Sequence, residues 1–185
     1  MYRVAWVVYL VLAVAGAVWM GIDRGGIAPG QFVTPGAWWR ELLWGLAGGA
    51  ALLVLWEVGR RVLPLARELE RAISEILAGI DRSEALALAL LSGFSEELFF
   101  RGAVQGEWGL AAATVLFALL HTGPGKPFLL WTLFAVVAGL LFGLLALHTG
   151  SLLSPITAHV TVNAVNLTRL ARAGTTTEGA PRAID

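Results

Sequence analysis

Two adjacent carboxylates, Glu96 and Glu97, and an arginine, Arg101, lie within the apolar stretch LSGFSEELFFRGA, Leu91 to Ala103. The stretch reads as part of a membrane-spanning helix, where each ionisable group costs about 2.5–3.5 kcal/mol to insert. Three such groups so close together need partners, a water-filled cavity or a chemical task. Helical geometry separates their roles. Glu97 and Arg101 are four apart, so they share a face and can pair. Glu96 is turned by about 100° from Glu97 and meets a different neighbour. One carboxylate can therefore be structural while the other holds a proton or a water.

Two further pairs stand on other predicted helices. Phe117 and His121 are four apart near the end of one, and His159 and Asn163 are four apart within another. A lone intramembrane histidine is usually a satisfied packing residue, and a buried ion-pair cluster can simply fix helix packing. Two histidines, an asparagine, two carboxylates and an arginine on three helices of one small chain point instead to a shared polar site. Such a site permits hydrolysis of an amide by activated water. Glu96 takes a proton from water and later delivers it to the leaving amine, and a histidine shares or orients that water. A second histidine and an asparagine amide supply donors where an oxyanion would form. Alternatively, Glu96, His121 and His159 could ligate one zinc and leave a coordination position open. The residues alone do not separate the two schemes.

These side chains must be positioned by an all-α, polytopic bundle. Of 185 residues, 57% are apolar and only 14% are charged, against about 25% charged in soluble domains. The net charge of zero gives no electrostatic case for nucleic acid. With no cysteine, disulfides and thiolate metal sites are excluded. Six spans are expected, near Arg3–Met20, Ala37–Val58, Glu84–Gln105, Trp108–His121, Phe128–Leu147 and Leu152–Leu170. The fourth is short, so it is tilted, buried or not fully spanning. The first is read as a retained span and not as a cleaved signal. Trp38 and Trp39 suit an interfacial anchor or a packed core.

Between the second and third spans, Leu65, Leu69, Ile73, Ile76, Leu77 and Ile80 recur at three- and four-residue spacing. Arg67, Glu68, Glu70, Arg71 and Glu75 occupy the other face. This is an amphipathic helix lying on the membrane surface or against the bundle. One domain is expected over 1–172, its motif-bearing core over 84–172, followed by a polar, disordered tail over 173–185. Six spans put ten of the lysines and arginines on one side and only Arg24 and Arg40 on the other, with Arg101 inside. The excess predicts that both termini are cytoplasmic in a multi-pass protein of the cell membrane.

EELFFR at 96–101, FALLH at 117–121 and HVTVN at 159–163 resemble, in order, the three motifs of the CPBP family. These are the CAAX prenyl protease and bacteriocin-processing intramembrane peptidases, also called the Abi family. The resemblance covers about half the chain, Glu84 to Arg172, and the motif residues show no departure. It implies an intramembrane endopeptidase in which Glu96 and His121 activate water. His159 and Asn163 would stabilise the oxyanion, and Glu97 and Arg101 would support the site. Between this metal-independent glutamate mechanism and a zinc-dependent one, both held for the family, Asn163 fits oxyanion binding better, which favours the former with no cofactor. The partners it implies are the lipid bilayer and a peptide or membrane-anchored protein substrate. The short loops fit the prokaryotic type, linked to peptide maturation, self-immunity or tag processing, better than prenyl-protein trimming.

Other intramembrane proteases fit less well. There is no HExxH or GxSG motif, and Asp23, Asp81 and Asp185 are the only aspartates. Ser92 and Ser95 are read as helix-packing residues, and His148 as interfacial. The competing class is a non-catalytic immunity or scaffold protein that uses the same polar cluster for binding. A proton-coupled carrier is disfavoured by the lack of repeated halves.

Overall fold

The computed structural model describes the backbone of residues 2–178 and the side chains of 4–172. Those residues fold into helices: α1 Tyr2–Asp23, α2 Trp38–Val62, α3 Pro64–Ile76, α4 Arg82–Glu97, a π-helical segment Leu98–Val104, α5 Gln105–Leu120, α6 Lys126–Thr149 and α7 Leu153–Glu178. No strand occurs among the described residues, as the all-α reading requires. α7 carries helix into the first part of the expected tail, and 179–185 lies outside the described residues.

Four stretches are long and apolar enough to cross a membrane: Val4–Asp23, Trp38–Val62, Arg82–Leu120 and Lys126–Thr149. Their outer faces expose aliphatic side chains, such as Val7, Val11 and Val18 on α1 and Leu133, Leu140 and Leu144 on α6. A surface so apolar suits lipid and not water, and the chain is a membrane protein. The expected sixth span corresponds to α7, which is not among the four. His159, Asn163, Asn166 and Arg169 dilute its apolar character. Trp38 and Trp39 are exposed, which excludes the packed-core alternative for them.

The expected third and fourth spans fall within the 39-residue run Arg82–Leu120. The run is not one rod. Gly109 has φ 80° and ψ 174°, a conformation open in practice to glycine alone, and breaks the helix there. The chain reverses, and the short arm after Gly109 lies back against the π segment. Phe117 meets Phe100 edge-on at 5.3 Å, and His121 comes level with Glu96.

Small residues set the helix spacing. Gly45 and Gly49 face α7: an added Cβ would lie 2.6 Å from the Ser154 carbonyl oxygen and 2.9 Å from Thr161 Cβ, respectively. Gly93 holds α4 against α7 in the same way, its added Cβ 2.6 Å from Val160 Cγ2. In lipid, where apolar burial gives helices little reason to associate, such close backbone approach supplies the contact. α6 presents two carbonyls one turn apart: Arg101 Nη2 donates to Gly139 O at 3.1 Å and Gln105 Nε2 to Gly143 O at 3.0 Å. The interior is filled by Leu52, Phe100, Phe117, Phe142, Ala158 and Val162.

α3 behaves as its pattern predicts and lies against the bundle, touching α2, α6 and α7. Leu69 and Leu77 are buried while Arg67, Glu68, Arg71 and Glu75 face outward. Polar contacts pin it. Trp56 Nε1 donates to Glu70 at 2.9 Å, Arg169 pairs with both Glu70 and Glu57, and Ser74 Oγ donates to Leu170 O at 3.0 Å.

Candidate active site

The charged residues of α4 separate into two groups, as their helical angles require. Glu97 turns inward and is fully buried. Its Oε1 accepts from Arg101 Nη1 at 3.0 Å and from His159 Nδ1 at 2.7 Å. Arg101 lies over the rings of Phe117, at 4.4 Å, and Phe142, at 5.3 Å. An arginine in apolar surroundings needs such compensation: a carboxylate, a carbonyl and aromatic faces offset its lost hydration. His159 stacks on Phe142 at 4.9 Å. Arg101, Glu97 and His159 thus form one enclosed ion network binding α4, the π segment, α6 and α7.

Glu96 faces the other way, toward α5. Its Oε2 stands 3.7 Å from His121 Nε2 and has no hydrogen-bond partner. The imidazole is oriented from behind, because His121 Nδ1 lies 2.7 Å from the Phe117 carbonyl oxygen. A carbonyl can only accept, so Nδ1 carries the hydrogen. In the neutral ring Nε2 then directs its lone pair at Glu96. Two acceptors face each other across a gap too long for a direct bond and suited to a molecule that can donate to both.

That gap opens into a cavity of about 330 Å³ between α3 and the rest of the bundle. Glu96, His121, Asn163, Asn166, Ser92 and Glu70 supply its polar lining, and Leu69, Ile73, Leu77, Leu88, Trp131 and Leu170 much of its apolar lining. Asn163 reaches the same space, with its Nδ2 donating to Ser92 Oγ at 2.9 Å. A second cavity of about 260 Å³ borders Glu96 and His121 from the α1 side.

The structure therefore brings Glu96, His121 and Asn163 to one cavity and sets Glu97, Arg101 and His159 together behind it. Among the described residues, no three His, Asp or Glu side chains are grouped to hold a metal ion. Three features escaped the sequence reading. Ser92, taken as a packing residue, is the partner of Asn163. Tyr9, on α1, lines both cavities beside Glu96 and His121. The helix widens to a π form directly after the two glutamates, a distortion common at functional sites. Only the Gly and small-residue content of 102–109 hinted at irregularity there.

A helical membrane protein with a carboxylate and an imidazole opposed at the head of an enclosed cavity has the makings of an intramembrane hydrolase site. Residues 81–165 match the family described as "Type II CAAX prenyl endopeptidase Rce1-like", which contains all six residues singled out above. That segment is thus similar to the family that its three motifs resemble. It is also 41% identical over 80 residues to the uncharacterized protein YpbD of Bacillus subtilis, an alignment covering 42% of this chain and 41% of that protein. The match thus spans about two fifths of the curated relative's length. No solved structure matches the chain.

Proposed function

We propose that the chain is an intramembrane endopeptidase that hydrolyses a peptide bond near the cytoplasmic membrane face with water activated by Glu96 and His121. The observation that carries this reading is the opposition of two acceptors, Glu96 Oε2 and His121 Nε2, at 3.7 Å. A water between them donates one hydrogen to each and turns its oxygen lone pairs toward a bound carbonyl. As that oxygen attacks, Glu96 takes the proton, and the carbonyl oxygen gains negative charge. The Asn163 amide, held by Ser92, is the donor placed to meet that charge. Collapse of the tetrahedral centre breaks the C–N bond, and Glu96 returns the proton to the leaving nitrogen. His159 acts through Glu97 and keeps the neighbouring helix turn in register.

The direct opposition of Glu96 Oε2 and His121 Nε2 supports the glutamate mechanism over the zinc one. The cavity lies beneath α3, and Asn163 is only six residues, about 9 Å of helix, from Arg169. Arg60, Arg61, Arg82, Arg169 and Arg172 all gather at that end of the bundle, which supports a cytoplasmic-face site, a multi-pass arrangement and cytoplasmic termini. The substrate is a peptide or a membrane-anchored protein.

The test is cleavage of a quenched peptide library by purified protein in detergent. Wild type and Glu96→Gln are compared, each with and without a zinc chelator. We expect wild type alone to cleave, with or without chelator, and Glu96→Gln to lose at least about a hundredfold in kcat. Loss with chelator and recovery with zinc would move the reading to the metal-dependent form. Equal cleavage by both proteins would remove Glu96 from the mechanism. Binding of peptides without cleavage would favour the non-catalytic immunity or scaffold reading.

A further inference from the structure

We propose that Tyr9 is a positioning residue for the reaction: its phenol donates to Glu96 and holds the carboxylate with Oε2 turned to His121. The inference rests on the proteolytic reading above. Tyr9 lies on α1, outside the 81–165 segment that matches the family.

The argument begins with the freedom of Glu96. Its partner-free Oε2 faces His121, and its side chain stands between the two cavities, with α1 on one side and α5 on the other. A glutamate so placed has several rotamers available, and only some direct Oε2 at Nε2. Tyr9 borders both cavities together with Glu96 and His121, and its phenol interacts electrostatically with that carboxylate. A phenol can donate, and an ionised carboxylate can only accept. A bond between them would occupy one face of the Glu96 carboxylate from the α1 side and leave the other for water.

α1 is built to bring the phenol there. Gly16 is seven residues from Tyr9, about two turns along the same face. An added Cβ at Gly16 would lie 2.9 Å from Phe99 Cα, so the glycine lets α1 approach the π segment three residues beyond Glu96. Met20 continues the contact against Gly102. Three separate stretches of the chain thus supply the water site: Tyr9 from α1, Glu96 from α4 and His121 from the end of α5.

The experiment compares wild type, Tyr9→Phe and Tyr9→Leu, all full length, in peptide cleavage and in infrared difference spectroscopy. Tyr9→Phe keeps the ring and removes only the donor. We expect it to lower kcat by about 10- to 100-fold, the loss of one hydrogen bond to a charged group, with KM nearly unchanged. Subtracting its spectrum from that of wild type should show a shifted carboxylate band, absent when the subtraction is repeated in a Glu96→Gln background. Wild-type kcat in Tyr9→Phe with a defect only in Tyr9→Leu would assign Tyr9 to ring packing and overturn the proposal. An unshifted carboxylate band would overturn it equally. If wild type cleaves nothing, the proteolytic reading fails by itself, and the infrared comparison still decides whether Tyr9 holds Glu96.

Discussion

Neighbouring glutamates with identical chemistry do opposite things here because 100° of helix separates them. Glu97 is enclosed, with two cationic or hydrogen-donating partners on one oxygen, and Glu96 keeps an oxygen without a partner. Their substitutions should therefore fail differently. Glu96→Gln should leave thermal stability in detergent close to wild type while removing cleavage. Glu97→Ala should destabilise by about 3–5 kcal/mol, since it leaves Arg101 charged, buried and without its carboxylate. Thermal unfolding followed by intrinsic tryptophan fluorescence distinguishes them, and equal stability of the two variants would contradict this division. At this scale the sequence was informative. Four-residue spacing foretold the Glu97–Arg101 pair, and the helical angle foretold that Glu96 would look elsewhere. Spacing within one helix carries no information about the facing helix, so neither the His159–Glu97 bond nor Tyr9 could be read from it.

At the scale of elements, α3 is the piece whose attachment differs in kind from the rest. The spanning helices meet through glycines and close backbone contact, whereas α3 is held by Glu70, Arg169, Trp56 and Ser74. Polar latches of this sort at a water-facing end open more readily than packed helices. Glu70→Gln should raise amide hydrogen exchange in α3 well above its change in α4 or α7, and it should do so more at low than at high ionic strength. Uniform exchange across all three would show that the apolar face alone holds α3. The amphipathic spacing of Leu65 to Ile80 disclosed both the helix and its orientation. What it covers was not legible, because the cavity beneath α3 is made by residues from six other places in the chain.

For the whole molecule, the distribution of basic residues and the site's position support the proposed orientation. The natural chain has no cysteine, so single cysteines can be introduced without removing any. Ala28→Cys and Lys126→Cys should label on opposite sides of sealed vesicles with a membrane-impermeant maleimide, Lys126→Cys on the cytoplasmic side. Labelling of both from the same side would refute the proposed topology. Hydropathy and spacing gave the helical class and foretold the helix of α7, despite the polar residues it turns to the interior, but could not mark the widening at Leu98–Val104, where the sequence stays as apolar as an ordinary helix.

The reversal at Gly109 makes the distance between Glu96 and His121 a matter of counting. One lies thirteen residues before the turn and the other twelve after it. An extra residue in either arm would swing everything beyond it by about 100° and slide it by about 1.5 Å, carrying the carboxylate or the imidazole out of register. The two arms work as a caliper whose jaws can be lengthened or shortened only together. Insertions and deletions during evolution should therefore accumulate freely between α1 and α2 or around α3, and be nearly absent between Glu96 and His121.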